Sequence, residues 1–226
     1  TNERGAMVTK KVVIFGLKDF AELAYFYLTN DSDFEVVAFT ANKEYCQESH
    51  FYGLPIVPFE ELENYYPPIE FNLFAPMSGV GMNKLRRNVF EQGKQKGFTF
   101  ISYISSKATV FQPDNIGENC FILEDNTIQP FTTIGDNVVL WSGNHIGHHG
   151  EICDHVFFTS HVVLSGHCLV ESYCFLGVNS TIRDGIVLAE GSFIAMSASI
   201  TKNTAPWGVY LGSPAKKGSK RSDEVF

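Results

Sequence analysis

Every sixth residue from Ile104 to Ile200 is apolar, over seventeen consecutive hexads. The series is Ile104, Val110, Ile116, Ile122, Ile128, Ile134, Leu140, Ile146, Ile152, Phe158, Leu164, Val170, Leu176, Ile182, Leu188, Ile194 and Ile200. The residue four positions later is usually small, as at Ala108, Cys120 and Ser180. A fixed period of six is typical of a parallel β-helix, in which three hexads complete one triangular coil. The pattern therefore predicts five to six coils, stacked about 4.8 Å apart, with the apolar series directed inward.

The first hundred residues lack this period and instead alternate short apolar runs with helical patterns. Asp19, followed by Glu22, has the spacing of a capping box that begins a helix. Such alternation predicts a small parallel sheet with helices on its faces. The predicted strands are Lys11–Gly16, Glu35–Thr40, Leu54–Val57, Phe71–Pro76 and Phe98–Ile104, and the predicted helices are Asp19–Leu28 and Met82–Lys96.

The strand–helix alternation and the hexad repeat divide the chain into three segments. Residues 8–103 are predicted to form a small Rossmann-like α/β domain, and residues 104–205 a β-helix domain. Residues 206–226 are predicted to be a C-terminal tail. No long loop interrupts the hexads, so a site on the β-helix must lie on its faces or between subunits.

The glycine loop after the first strand departs from the dinucleotide fingerprint. Gly16 is present, but Lys18 and Ala21 stand where further glycines would let a pyrophosphate approach the backbone, which disfavours a dinucleotide oxidoreductase. Ligands of such sheets bind at the carboxyl ends of the strands, which lie here near Gly16–Asp19, Thr40–Asn42 and Ala75–Ser78. The candidate substrate-binding residues are Gly16, Lys18, Asp19, Thr40 and Asn42. Two interpretations stay open: a site for a nucleotide-linked substrate, or a structural cap over the open end of the β-helix.

Charge and composition narrow the class of partner. The chain has a net charge of −8, which disfavours nucleic acid and membrane surfaces as partners. No apolar run approaches the ~20 residues that span a bilayer, and no signal peptide is recognisable. The five cysteines have no CxxC spacing, which is typical of reduced thiols. A cytoplasmic protein is expected.

Six of the seven histidines lie between positions 145 and 167. Residues eighteen apart stack on adjacent coils, which predicts His148 beside Gly166 and His149 beside His167. Three interpretations stay open at this point: polar stacking on a solvated face, for His155 and His161 first; a zinc site; or one catalytic base next to a glycine that exposes its backbone.

The segments WSGNHIGHHGEICDHVFFTS (141–160) and CFLGVNS (174–180), with the closing VYLGSPAK (209–216), resemble bacterial sugar acetyltransferases. The family is that of sialic-acid O-acetyltransferases and bacillosamine-pathway N-acetyltransferases, and the resemblance runs from Val8 to about Lys217. It implies a left-handed β-helix, a homotrimer that binds acetyl-CoA in the grooves between subunits, and a nucleotide-activated sugar held by the N-terminal domain.

Position by position, the resemblance implies that His148 is the catalytic base and that the Gly166 backbone meets acetyl-CoA. His149 stands where the family has an acidic partner of the base, and Phe157 where it has a second histidine near the thioester. Glu151 or Asp184 is a candidate for the missing carboxylate. His145 is the alternative base, and Lys216 and Phe157 are further candidate acetyl-CoA contacts.

The function expected is acetyl transfer from acetyl-CoA to an amino group on a nucleotide-linked deoxy-sugar, for surface glycan synthesis. O-acetylation of a sugar hydroxyl is an alternative. A third possibility, from a different class, is a non-catalytic or metal-binding trimeric β-helix protein. No resident metal is expected for the acetyltransferase.

Overall fold

The computed structural model describes residues 10–225, so the predicted domain start at residue 8 lies outside the described residues. The N-terminal domain is a five-stranded sheet of order β3-β4-β2-β1-β5. Its strands are parallel except for β3, which pairs antiparallel with β4. The strands are β1 (Lys11–Phe15), β2 (Glu35–Ala41), β3 (His50–Phe51), β4 (Leu54–Pro58) and β5 (Phe71–Phe74). The predicted Rossmann-like sheet is confirmed.

Among residues 10–225, three α-helices are present: α1 (Asp19–Asn30), α2 (Leu62–Tyr65) and α3 (Lys84–Gln95). The predicted capping box at Asp19 is wrong. Lys18 occupies the N-cap position, no side chain caps the helix, and Glu22 instead accepts a hydrogen bond from the Tyr52 hydroxyl.

The predicted strand Phe98–Ile104 is confirmed only for its last two residues, Tyr103 and Ile104, which form the first strand of the β-helix. Only a single bridge joins Phe100 to Leu73, because the chain leaves the sheet here and enters the β-helix.

The β-helix contains sixteen two-residue strands. The second residue of each strand is one of the inward apolar residues. They are β6 (Tyr103–Ile104), β7 (Thr109–Val110), β8 (Phe121–Ile122), β9 (Thr127–Ile128), β10 (Thr133–Ile134), β11 (Val139–Leu140), β12 (His145–Ile146), β13 (Glu151–Ile152), β14 (Phe157–Phe158), β15 (Val163–Leu164), β16 (Leu169–Val170), β17 (Phe175–Leu176), β18 (Thr181–Ile182), β19 (Val187–Leu188), β20 (Phe193–Ile194) and β21 (Ser199–Ile200).

The predicted register is confirmed. Paired strands of adjacent coils are eighteen residues apart, as Val139 is from Phe157 and His145 from Val163. From Ile122 to Ile200 every inward apolar residue is at most 3% exposed. Ile104, Val110 and Ile116, in the first coil, are half-buried against the same core, because no coil covers them from below.

The coils stack into three faces. The covered face contains β6, β8, β11, β14, β17 and β20; the second face contains β7, β9, β12, β15, β18 and β21; the third face contains β10, β13, β16 and β19. The N-terminal domain packs on the covered face, where Phe121, Val139 and Phe157 share a core with Val12, Ile14 and Phe74 of its sheet. The interpretation of this domain as a cap over the open end is therefore wrong, because the domain lies against a side of the prism.

Polar contacts reinforce this junction. The Tyr103 hydroxyl donates to Asp31 Oδ2 over 2.6 Å, and the Tyr27 hydroxyl donates to Glu124 Oε2 over 2.9 Å. The two domains are thus joined by both apolar packing and directed hydrogen bonds.

The predicted C-terminal tail forms an antiparallel hairpin of β22 (Gly208–Leu211) and β23 (Lys216–Arg221). Strand β22 pairs with β20 and so extends the covered face, while Val209 and Tyr210 are buried. Among residues 10–225, no helix has both the length and the apolar character needed to cross a bilayer.

Candidate active site

The crowding of histidines follows from the conformation of the β-helix turns. The residue three positions after an inward apolar residue has a positive φ in coil after coil. His149, His155, His161 and His167 all occupy this position, with φ between 53° and 63°. Histidine is one of the few residues enriched in the left-handed region. His148 lies one position earlier in its turn, and His145 lies on strand β12.

His148 faces Gly166 of the next coil, as the stacking rule predicts. A Cβ atom on Gly166 would lie 2.8 Å from His148 Cε1 and 2.9 Å from His148 Nε2. Only glycine therefore leaves room for the imidazole in this position. Among residues 10–225 no acceptor takes the Gly166 N–H, so this amide is available to a ligand beside the ring.

His149, rather than a carboxylate, is the partner of the His148 ring. The Nδ1 atoms of the two rings are 3.0 Å apart, so one imidazole donates and the other accepts. The backbone N–H of His148 donates to Gln129 Oε1 over 3.0 Å. In the described part of the chain, neither Glu151 nor Asp184 forms a hydrogen bond or ion pair with His148. The prediction that one of them is its carboxylate partner is therefore wrong within one chain.

A third imidazole completes the cluster. The rings of His149 and His167 stack at 5.0 Å with an interplanar angle of 17°, as predicted. The His148 ring lies 5.0 Å from that of His167 and perpendicular to it. Below them, Phe131 packs on His149 at 4.7 Å. One ring nitrogen from each of the three exposed histidines lies within 4.8 Å of the others.

The remaining histidines stand apart from this cluster. His145 is half-buried on the second face, paired with Thr127 and Val163. His161 is exposed above Gly143, which fits polar stacking.

For His155, the expectation of a solvated face is wrong, because α3 covers that corner. Its ring contacts Phe90 at 6.2 Å and Tyr173 at 5.3 Å. Burial lowers the pKa of His155 to about 4, so this ring stays neutral at physiological pH.

A cleft of about 780 Å³ opens at the carboxyl ends of β1, β2 and β5. Gly16, Lys18 and Asp19 line it, in agreement with their predicted place. Gly16 has φ 123°, and a Cβ atom there would lie 3.2 Å from that of Ala21. The tight turn therefore requires glycine and points the start of α1 into the cleft. Met77 and Ser78 also line the cleft, within the predicted segment Ala75–Ser78. The sequence did not indicate Tyr45 and Gln47, two further lining residues that follow β2.

Thr40 and Asn42 are not part of this lining. Thr40 is fully buried and its hydroxyl donates to the Val57 carbonyl over 2.7 Å. The substrate contact predicted for Thr40 is therefore wrong: its hydroxyl joins two strands. Asn42 is exposed just beyond β2, where its carbonyl accepts the Tyr45 N–H, while Ala41 and Tyr45 on either side line the cleft.

A buried arginine supports one wall of the cleft, formed by Met77 and Ser78. Arg86 of α3 donates to the carbonyl oxygens of Met77 and Ser78 on one side and of Asn137 and Val156 on the other, over 3.1–3.3 Å. Burial lowers its pKa to about 9, so the guanidinium is still charged at neutral pH. It fixes the Met77–Ser78 wall to the β-helix, and no sequence motif indicates this role.

The acetyl-CoA contact predicted for Phe157 is wrong within one chain, because Phe157 lies under the cleft rather than beside His148. It is 4% exposed on the covered face, stacked on Phe175 at 5.4 Å and in contact with Phe20 of the cleft at 6.4 Å. Lys216 is exposed in the C-terminal hairpin, opposite Leu211.

Within one chain the histidine cluster and the cleft are separated. The turn that holds His148 and His149 joins the second face to the third face. In a triangular cross-section this corner is opposite the covered face, against which Phe20 of the cleft packs. One chain therefore presents an imidazole base and a cleft on different sides of the prism.

Comparison with known proteins supports the repeat and the fold. The bacterial transferase hexapeptide family (six repeats) matches residues 115–148. A probable macrolide acetyltransferase from Lysinibacillus sphaericus is 40% identical over 50 residues, which are 22% of this chain and 28% of that protein. The match thus spans little more than a quarter of that relative's length.

Two solved structures superpose on nearly the whole chain. PerB from Caulobacter crescentus, in complex with CoA and GDP-perosamine, has a TM-score of 0.82 at 20% identity, covering 95% of this chain and all of that one. The acetyltransferase domain of PglB from Neisseria gonorrhoeae, with acetyl coenzyme A, has a TM-score of 0.78 at 19% identity, covering 93% and 100%. The chain thus carries the hexapeptide repeat of bacterial transferases and has the fold of the left-handed β-helix acetyltransferases.

Proposed function

We propose that the protein transfers the acetyl group of acetyl-CoA to an amino group on a nucleotide-linked amino-deoxy-sugar, for surface glycan synthesis. The observation that carries this proposal is the His148 ring held against the open backbone of Gly166. A base beside an unoccupied N–H is what attack on a thioester needs. Similarity of fold to sugar acetyltransferases that bind CoA adds support.

In this reaction the amine attacks the thioester carbon, the C–N bond forms, the C–S bond breaks, and CoA leaves as the thiol. His148 takes the proton from the attacking amine or from the tetrahedral intermediate and passes it to the departing CoA sulfur. The Gly166 N–H donates to the thioester oxygen. His149 holds the His148 ring through the Nδ1 contact of 3.0 Å. Lys216 is proposed as a further acetyl-CoA contact, and Phe157 as an apolar support close to the acceptor.

The acceptor is proposed to bind in the cleft beside Gly16. The first turn of α1 has no side-chain cap. The Ala21 and Glu22 N–H groups donate to the Lys18 carbonyl, whereas those of Asp19 and Phe20 have no acceptor among residues 10–225 and can bind phosphate oxygens. Lys18 adds a cation at the same place. Asp19, also in this turn, is suited to a sugar hydroxyl. Asn42, at the edge of the cleft, remains a proposed contact.

The separation of cleft and base supports a homotrimer. Because the His148 corner and the cleft face different directions in one chain, a neighbouring subunit must bring its own histidine to the cleft. Light scattering should give three times the 25.2 kDa mass of the chain. A monomer at micromolar concentration would contradict the shared site.

The partner of the base favours N-acetylation over O-acetylation. A hydroxyl is far less acidic than an ammonium and calls for a stronger base, which a carboxylate partner helps to provide. Here the partner of His148 is the imidazole of His149.

A cytoplasmic location belongs to this proposal, since acetyl-CoA and nucleotide sugars are made there. The five cysteines are unpaired, as expected in a reducing compartment.

The test is a screen of acetyl-CoA against nucleotide-linked amino-sugars, with the matching hydroxy-sugars as controls, followed by release of the CoA thiol. Thiol release with amino-sugars alone supports the proposal. Release with hydroxy-sugars alone would establish O-acetylation. Absence of release with every acceptor, from a folded trimer, would favour the non-catalytic alternative.

A further inference from the structure

We propose that His148, His149 and His167 bind one divalent transition-metal ion, such as Zn²⁺, and that the bound ion inhibits the enzyme by occupying its base. The binding site stands on the geometry of the cluster alone. Its inhibitory effect rests on the proposed function.

The three imidazoles are close enough to share one ion. A ring nitrogen of each lies within 4.8 Å of the others, and the Nδ1 atoms of His148 and His149 are already 3.0 Å apart. Nitrogen ligands around tetrahedral zinc, at about 2.0–2.1 Å from the metal, lie roughly 3.3 Å from one another. All three side chains are exposed, so small rotations about their χ angles can close the remaining gap.

The backbone that holds these side chains is already ordered. The His167 N–H donates to the His148 carbonyl over 2.9 Å, and the His149 N–H donates to the Pro130 carbonyl. Phe131 supports the ring of His149 from the coil below. An ion therefore has to order only the side chains, which lowers the entropic cost of binding.

The donor set selects the kind of metal. Three imidazoles suit Zn²⁺, Ni²⁺ or Cu²⁺, whereas Mg²⁺ and Ca²⁺ require oxygen ligands. Three protein ligands leave a fourth position to water. Coordination uses the lone pair with which His148 would accept a proton, so a metal-loaded chain has no free base.

The experiment titrates Zn²⁺ into the EDTA-treated, dialysed protein in competition with a chromogenic chelator. We expect one zinc per chain, no competition from millimolar Mg²⁺, and at least about tenfold weaker binding in His167→Asn, which lacks one of three ligands. His161→Asn is the matched control, because His161 is an exposed histidine in the same left-handed turn position at another corner. Asparagine tolerates this conformation in both variants.

Acetyl-transfer rates give the second readout. Zinc should inhibit the wild type and His161→Asn at the concentrations that fill the site, and His167→Asn only at concentrations at least about tenfold higher. Failure of the wild type to bind stoichiometric zinc, or equal affinity in wild type and His167→Asn, would overturn the site. If no acceptor is acetylated, the titration still decides whether the site exists, while the proposed function alone fails. Zinc bound at the site without loss of activity would overturn the inhibition.

Discussion

Replacing Gly166 with alanine displaces the proposed base without changing its chemistry. The new Cβ atom would lie 2.8 Å from His148 Cε1 and 2.9 Å from Nε2, whereas ordinary contacts begin near 3.4 Å. The imidazole must therefore move by roughly 0.5–1 Å, a misplacement that can cost up to about 100-fold in rate. We expect kcat to fall about 10- to 100-fold, which corresponds to about 1.4–2.7 kcal/mol of lost transition-state stabilisation.

The stability of this variant should change little. His148 is exposed, so its ring can swing aside, and Gly166 has no positive φ that alanine would strain. We expect the free energy of unfolding to change by less than about 1 kcal/mol.

Gly150→Ala is the matched control, since a Cβ atom there has its nearest neighbours at an ordinary 3.4 Å and none of them belongs to His148. The assay is steady-state thiol release at saturating acetyl-CoA, with thermal melting of both variants. Full kcat in Gly166→Ala, or an equal loss of kcat in Gly150→Ala, would show that the position of the His148 ring beside Gly166 does not matter for the reaction.

Three further outcomes follow from burial and charge. Ile152→Asp places a carboxylate at a position only 1% exposed and should cost several kcal/mol of stability. Val163→Asp is the control at an outward position and should be tolerated. A wild-type melting temperature for Ile152→Asp would show that the register is wrong. His155 resists protonation in the folded state, so stability should fall as the pH drops from 6.5 toward 4, where the unfolded chain takes up a proton that the folded chain excludes. The pKa shift of His155 corresponds to about 3 kcal/mol of stability, which partial exposure of the ring reduces to about 1–2 kcal/mol. Urea titrations at several pH values should show that the stability of His155→Asn depends less on pH than that of the wild type. Lys18→Ala should raise KM for the nucleotide-sugar and leave acetyl-CoA affinity unchanged, which calorimetry can verify. Lys202→Ala is the control. An unchanged KM in Lys18→Ala would show that the acceptor does not bind in the cleft.

The repeat could be predicted from the sequence because the hexad constrains the path of the chain. Once every sixth residue points inward, the eighteen-residue register follows, and with it the pairing of His148 with Gly166 and of His149 with His167. These contacts depend on coil geometry alone and need no knowledge of the rest of the molecule.

Contacts between distant segments could not be predicted in this way. The burial of His155 depends on α3 packing over its corner, and the buried Thr40 hydroxyl depends on its neighbour strand. The uncapped start of α1 could not be predicted either, because Asp19 and Glu22 have the spacing of a capping box that the structure does not form.

One signal in the sequence does indicate the covered face. The outward residues of every third hexad are almost all aromatic, unlike those of the other two faces: Tyr103, Phe121, Val139, Phe157, Phe175 and Phe193. An apolar outward column implies a partner, and the N-terminal domain is that partner. The sequence alone does not reveal that this arrangement leaves the cleft and the histidine cluster on different sides of one chain.

The turnover of His148→Asn, measured with the best acceptor of the screen, tests the central claim most directly. Removal of a general base typically costs 10²–10⁴-fold in rate. We predict a fall in kcat of at least about 100-fold with unchanged acetyl-CoA affinity, against a smaller loss in His149→Ala and near-normal turnover in His145→Asn. Near-wild-type kcat in His148→Asn would contradict the assignment of His148 as the base.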